Sequence, residues 1–202
     1  MPRAPAEQHD LELVAKWLAE NDLHAKRFTE AEVGAGKTPD FRVFRDGQPV
    51  SYCEVKSPRD EWLDDQFMSA VPAQIVGGAR DDSTFNRIAG LVRKAVKQFD
   101  AVNPDRRLPN ICVFVNWVKV SHFRDLKETL TGYLPLANGG TAPTMPKISE
   151  GRIRDEKRRI DAYVWFNGHA RKLEGIFLTQ SDILHRDAVC SWLGVEPAKI
   201  NV

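Results

Sequence analysis

The chain has 202 residues, and at about 150 residues per domain this length predicts one domain, residues 1–202. Hydrophobic residues make up 42% and charged residues 28% of the chain, which is ordinary for a globular protein and excludes disorder throughout. The 29 Lys and Arg residues nearly balance 28 Asp and Glu residues. This balance excludes a histone-like polycation but not an enzyme of nucleic acids, because phosphate contacts depend on where the charges lie.

Several sequence features bear on the compartment. The N-terminal residues lack the apolar segment of a secretory signal, and no apolar run approaches the roughly 18–20 residues that span a bilayer. Cys53, Cys112 and Cys190 are spaced too widely for a zinc site or a disulfide framework. We therefore expect a cytoplasmic protein with reduced cysteines and no membrane partner.

Helical and extended patterns alternate along the chain. The predicted helices are about Pro5–Asn21, Ser83–Val102, Phe123–Tyr133, and a last helix that is capped by Ser181 and ends near Gly194. The predicted strands are His24–Thr29, Asp40–Phe44, Pro49–Lys56, Asn110–Trp117, Ile160–Phe166 and Gly175–Thr179. The Gly- and Pro-containing stretch Leu136–Gly151 is predicted to be a long loop. This order predicts an α/β fold with a central mixed β-sheet flanked by helices.

A phosphate-binding loop is one interpretation of the segment Ala31–Thr38, which satisfies a permissive Walker pattern. Such a loop needs a preceding strand and a helix that begins at Lys37 and Thr38. Pro39 follows directly and disfavours helical geometry at Thr38. The sequence therefore argues against nucleotide binding here, and we expect Gly34 and Gly36 to shape a mobile loop.

A group of charged residues after this segment favours a different site. Asp46-Gly47 is a hairpin signal, and the hairpin brings Asp40 beside the end of the second strand. On that strand Glu54 and Lys56 project from the same face because strand side chains alternate. Asp40, Glu54 and the backbone carbonyl of Val55 offer hard oxygen ligands for a divalent cation. Lys56 is suited to hold water or to neutralise a phosphate. The alternative is an exposed hairpin with a Glu–Lys ion pair.

The order Thr38-Pro39-Asp40, then Glu54-Val55-Lys56, on a hairpin between two helices resembles the PD-(D/E)XK nuclease superfamily. The resemblance implies a restriction-endonuclease-like core at about residues 5–117, with a C-terminal strand and helix extension at about residues 118–202. It implies hydrolysis of phosphodiester bonds in DNA, with RNA not excluded, and dependence on Mg²⁺, for which Mn²⁺ is able to substitute. By position, Asp40 and Glu54 are metal ligands and Lys56 is the catalytic lysine.

Two helices carry supporting candidates. Glu7 lies on the apolar stripe of the first helix and is either a contributor to the metal site or a partner of the helix dipole. Arg87, Lys94 and Gln98 share one stripe of the long helix that follows the Glu-x-Lys strand. They are candidates for contacts with phosphate or water, and the alternative is a solvated helix edge.

The basic surplus lies in the second half of the chain. Residues 1–100 carry 14 basic and 17 acidic side chains, and residues 101–202 carry 15 and 11. A basic run covers residues 147–159, and we expect it to make weak, sequence-independent contacts with nucleic acid. The alternative is that this run is only a solvated face. Its basic residues are Lys147, Arg152, Arg154, Lys157, Arg158 and Arg159, of which Arg152, Arg154, Lys157 and Arg158 are the candidates for binding. Trp62 is the candidate for base stacking.

A second hypothesis stays open. The chain is either a nuclease or a catalytically idle, nuclease-like module for nucleic-acid binding or assembly. The intact Asp40, Glu54 and Lys56 favour the nuclease. A single site cuts one strand at a time, so cleavage of both strands would require a homodimer or a partner protein.

Overall fold

The computed structural model describes residues 5–59, 82–136, 138–143 and 153–196. The helices are α1 (Pro5–Ala19), α2 (Glu30–Ala35), α3 (Asp82–Val102), α4 (Phe123–Thr131) and α5 (Ile183–Leu193), and a 3-10 turn covers Glu156–Arg159. The strands are β1 (His24–Arg27), β2 (Phe41–Arg45), β3 (Gln48–Lys56), β4 (Asn110–Asn116), β5 (Tyr133–Pro135), β6 (Thr141–Pro143), β7 (Ala162–Asn167) and β8 (Lys172–Leu178).

Six of these strands form one mixed sheet in the order β1-β2-β3-β4-β7-β8. The central strands β3, β4 and β7 are parallel, and the flanking pairs are antiparallel. Helices flank the sheet, so the predicted α/β class with a central mixed sheet is confirmed. Strands β7 and β8, which belong to the C-terminal part of the chain, extend this same sheet.

Both faces of the sheet are covered, and strand β4 shows why. All seven of its residues are buried, and alternate residues point to opposite faces. Val113 packs in a cluster with side chains of α1 and α5. Phe114 packs in a second cluster with side chains of α3 and α4. A buried strand between two layers of helices is typical of parallel strands in α/β proteins.

The hairpin between β2 and β3 fixes the position of the charged residues. Asp46 and Gly47 have φ angles of 50° and 77°, the positive values that a two-residue hairpin turn requires. The pairing of β2 with β3 ends at Phe41 and Cys53. Strand β3 therefore extends beyond β2 while it stays paired with β4 on its other side, and Asp40, just before β2, lies next to this extension.

Three predicted features are corrected by the structure. The segment expected to be a mobile loop contains α2, which Thr29 and Glu32 begin with reciprocal capping hydrogen bonds. This helix precedes Lys37 instead of starting there, so the phosphate-loop geometry is absent from this described segment. The loop predicted after residue 136 contains β6, which pairs with β5. The cap of the last helix is Asp182, whose side chain accepts from the His185 N–H at 3.0 Å, and not Ser181.

The cysteines agree with the expectation drawn from sequence. Cys53, Cys112 and Cys190 are buried and carry free thiols. None of the helices in the described ranges combines the length and the apolar character that crossing a bilayer requires.

Two glycines provide a test of the packing around β8 and α3. A Cβ at Gly175 would lie 2.3 Å from the Phe123 ring, whereas a Cβ at Gly90 would meet nothing within 4 Å. We expect Gly175→Ala to destabilise the protein by about 1–3 kcal/mol through overpacking. Gly90→Ala should stabilise it by about 0.5–1 kcal/mol, because alanine restricts the unfolded chain and favours helix. Equilibrium urea unfolding measures both, and shifts of equal sign would contradict this packing.

Candidate active site

Asp40 and Glu54 lie side by side, joined by two hydrogen bonds that each run from backbone to carboxylate. The backbone N–H of Asp40 donates to Glu54 Oε2 at 3.0 Å, and the N–H of Val55 donates to Asp40 Oδ2 at 2.8 Å. Both acids are buried, with 4% and 2% of their surface exposed. Beyond Cys53, β2 no longer provides backbone hydrogen bonds to β3. The two backbone-to-carboxylate bonds take their place and hold both carboxylates at the carboxyl end of β3.

Lys56 completes a polar chain across the same face of β3. Its ammonium lies 2.5 Å from Glu54 Oε1 and 2.7 Å from Gln98 Oε1 on α3. The Gln98 amide in turn donates to the Thr38 carbonyl at 3.0 Å. The predicted same-face arrangement of Glu54 and Lys56 is therefore present, and α3 holds the lysine in place. We call Asp40, Glu54 and Lys56 the acid–lysine triplet.

The electrostatics of the triplet are dominated by burial. Burial, followed by the nearby charge of Asp40, raises the pKa of Glu54 to about 8, although the Lys56 ammonium acts in the opposite direction. The neighbouring Cys53 thiol is also buried, and its pKa lies well above its ordinary range for the same reason. Two buried acids thus share one site, and the single lysine only partly offsets their negative charge.

A cavity of about 460 Å³ opens beside the triplet, between α1, the end of β3 and α3. Its lining includes the whole triplet and three of the predicted supporting residues, Glu7, Lys94 and Gln98. Arg87, the fourth, is half-buried on α3 and is not part of this lining. The cavity therefore brings together the residues that the sequence singled out around the hairpin.

Asp10 lines the same cavity and was missed by the sequence analysis. It is fully buried on α1. Its two carboxylate oxygens accept from Trp117 Nε1 at 3.1 and 3.2 Å, and the Arg59 guanidinium lies 3.6 Å away. The available signal was its phase: Asp10 precedes Val14 by four residues and so lies on the apolar stripe of the helix.

A larger groove of about 1380 Å³ adjoins this cavity and shares Asp40, Lys56, Lys94 and Gln98 with it. Its lining is rich in cations and contains few acids. Besides the shared lysines, the cations are Arg27, Lys37 and Lys97. Glu30 is the acid besides Asp40, and the half-buried ring of Phe28 adds an aromatic surface. The triplet thus lies where a basic groove meets an acidic pocket.

The donor set of the triplet suits a hard cation. Asp40 and Glu54 supply carboxylate oxygens, and the carbonyl of Val55 points to the same side as its N–H, towards Asp40. Mg²⁺ typically binds one or two carboxylates and keeps several waters. Within the described ranges, no cluster of three or more His, Cys, Asp or Glu side chains is arranged to hold a metal. The residues present therefore fit Mg²⁺ better than a metal that needs a complete protein cage.

The predicted basic segment lies elsewhere. Arg154 is exposed to solvent. Lys157 donates to the Leu130 carbonyl at 2.6 Å, and Lys157 and Arg158 line a separate cavity. None of these three belongs to the lining of the site or of its groove. Arg152 and Trp62, also predicted to contact nucleic acid, lie outside the described residues.

Comparison of the chain with protein-family models, with curated proteins and with solved structures gave no significant match.

The raised pKa of Glu54 predicts how stability depends on pH in a metal-free buffer. The folded protein favours the protonated acid, so this stability is fully present below the ordinary pKa of 4.5 and is lost as the pH rises to about 8. Glu54→Gln removes the titration. Relative to this variant, the wild type should lose at least about 1 kcal/mol between about pH 5 and pH 8.

Urea unfolding at several pH values measures the difference. Glu20→Gln, at an exposed position near the end of α1, is the matched control and should follow the wild type. A constant difference between wild type and Glu54→Gln across this range would show that Glu54 does not carry the proton.

Proposed function

We propose that the chain is a metal-dependent nuclease of the PD-(D/E)XK type, with a restriction-endonuclease-like fold, that hydrolyses phosphodiester bonds of DNA. The observation that carries the proposal is the convergence of Asp40, Glu54 and Lys56 at one sheet edge. Buried acids that face each other in an open pocket add little to folding, because desolvation costs more than one lysine returns. A role in binding a cation and a phosphate accounts for all three.

Each residue has a role that follows from its contacts. Asp40 and Glu54, with the carbonyl of Val55, would hold Mg²⁺, for which Mn²⁺ is able to substitute. When bound, the ion supplies Lewis-acid activation of water and of the phosphate. Lys56 has three N–H donors, of which Glu54 and Gln98 accept two. The third donor is left to orient water or to stabilise charge on a phosphate oxygen.

The adjoining groove supports a polyanionic substrate. Arg27, Lys37, Lys94 and Lys97 line it beside the triplet, and basic side chains that follow a groove bind a phosphate backbone without reading sequence. DNA is the substrate that the resemblance favours, and RNA belongs in the same assay.

Cleavage assays with matched variants test the proposal. We expect the wild type to cut supercoiled, linear, single-stranded or branched DNA, or RNA, in Mg²⁺ or Mn²⁺, and to stop in a chelator. Lys56→Ala removes the phosphate donor, and Asp40→Asn removes one charge while keeping an acceptor for the Val55 N–H. Each should lower the cleavage rate about a hundredfold or more, with an unchanged circular dichroism spectrum.

Two exposed substitutions serve as controls for the same changes. Lys16 and Asp22 are exposed and lie outside the lining of the cavity, so Lys16→Ala and Asp22→Asn are suitable controls. Asparagine tolerates the left-handed backbone at position 22, where φ is 57°. Both should cut like the wild type. Cleavage by Lys56→Ala and Asp40→Asn at the wild-type rate would overturn the site. Binding of DNA without cleavage in either metal would instead assign the chain as a catalytically idle module.

A further inference from the structure

A second cavity, of about 690 Å³, lies between the end of α4, the 3-10 turn and β8. It shares no lining residue with the candidate active site. Phe177, in its wall, is on β8, which lies three strands from β3 in the sheet, or roughly 14 Å away at the usual strand spacing. Its volume falls within the range of small-molecule sites, about 300–1000 Å³.

The lining of this cavity is cationic. Arg106, Lys157 and Arg158 all contribute to it, and no Asp or Glu is among its described lining residues. Lys157 has a neutral partner, the Leu130 carbonyl at 2.6 Å. Within the described ranges neither Lys157 nor Arg158 forms an ion pair with a carboxylate. Two adjacent positive charges are thus left without a counter-charge.

Arg106, the third cation of the lining, is already paired with an acid. The side chain of Arg106 is largely buried, with 18% exposed, and one end of its guanidinium pairs with the buried Asp161. Its Nε is buried and has no hydrogen-bond partner. This Nε is not accessible from the cavity, so Lys157 and Arg158 are the cations available to an anion there.

Burial and neighbouring charges lower the pKa of Lys157. Burial first, and then the positive charges of Arg158 and Arg154, hold the pKa of its ammonium below the ordinary value. The charge of Arg158, which unlike Arg154 belongs to the lining, would favour a bound anion here. The half-buried Phe177 provides an apolar wall beside these cations.

We propose that this cavity binds a phosphorylated small molecule of nucleoside-monophosphate size. Its phosphate would lie against Lys157 and Arg158, where a dianion offsets two cations and arginine is able to donate in bidentate fashion. Its apolar or aromatic body would pack on Phe177. The Ser181 hydroxyl, also in the lining, provides a further polar contact.

Calorimetric titration with AMP, adenosine and inorganic phosphate, in a chelator at constant ionic strength, tests the proposal. We expect AMP to bind and adenosine not to bind, with phosphate weaker than AMP. Arg158→Ala should weaken AMP binding at least tenfold. Arg154→Ala, an exposed arginine on the same segment that is outside the lining, should change it less than twofold.

Lys56→Ala keeps this test independent of the proposed nuclease, since Lys56 lines the other site. AMP binding that survives Lys56→Ala and is lost in Arg158→Ala supports a binding site in the second cavity, whether or not the chain cleaves DNA. If phosphate bound as tightly as AMP, the apolar wall would have no role in binding. Absence of AMP binding, or equal weakening by Arg154→Ala and Arg158→Ala, would overturn the site.

Discussion

Asp40 and Glu54 are held together by the backbone of the strands that carry them. The N–H of Asp40 binds the Glu54 carboxylate and the N–H of Val55 binds the Asp40 carboxylate, so neither acid is able to leave without breaking the sheet edge. This arrangement exists because β3 extends beyond β2. Lys56 lies on the same extension, where β4 pairs with its backbone and Gln98 accepts from its ammonium.

The parts of this arrangement that could be predicted from sequence rest on local physical rules. Asp46-Gly47 determines a two-residue turn, so the pairing of the two strands follows from the residue types and their spacing. The final pairing of Phe41 with Cys53 also depends on a β-bulge between Val43 and Phe44, which the residue types did not predict. Alternation along β3 likewise placed Glu54 and Lys56 on one face. The helical phase of α3 then brought Lys94 and Gln98 to the same cavity.

Features that depend on tertiary contacts were harder to predict. Helix α2 contains Gly34 and buries none of its residues, so neither propensity nor an apolar stripe predicts it, and its signal was the capping pair at Thr29 and Glu32. Asp10 was not singled out, because its partner Trp117 is 107 residues away along the chain. The basic run near residue 157 gave only composition, and composition does not indicate which side of the sheet a charge occupies.

The proposed chemistry requires the two buried carboxylates, Asp40 and Glu54, to act as one cation site. Isothermal titration of the purified chain with Mn²⁺ tests this directly, with Glu54→Gln and the exposed Glu20→Gln titrated in parallel. We expect binding to the wild type and to Glu20→Gln, and none to Glu54→Gln. Equal binding by all three proteins, or no binding to the wild type, would contradict a metal site at Asp40 and Glu54.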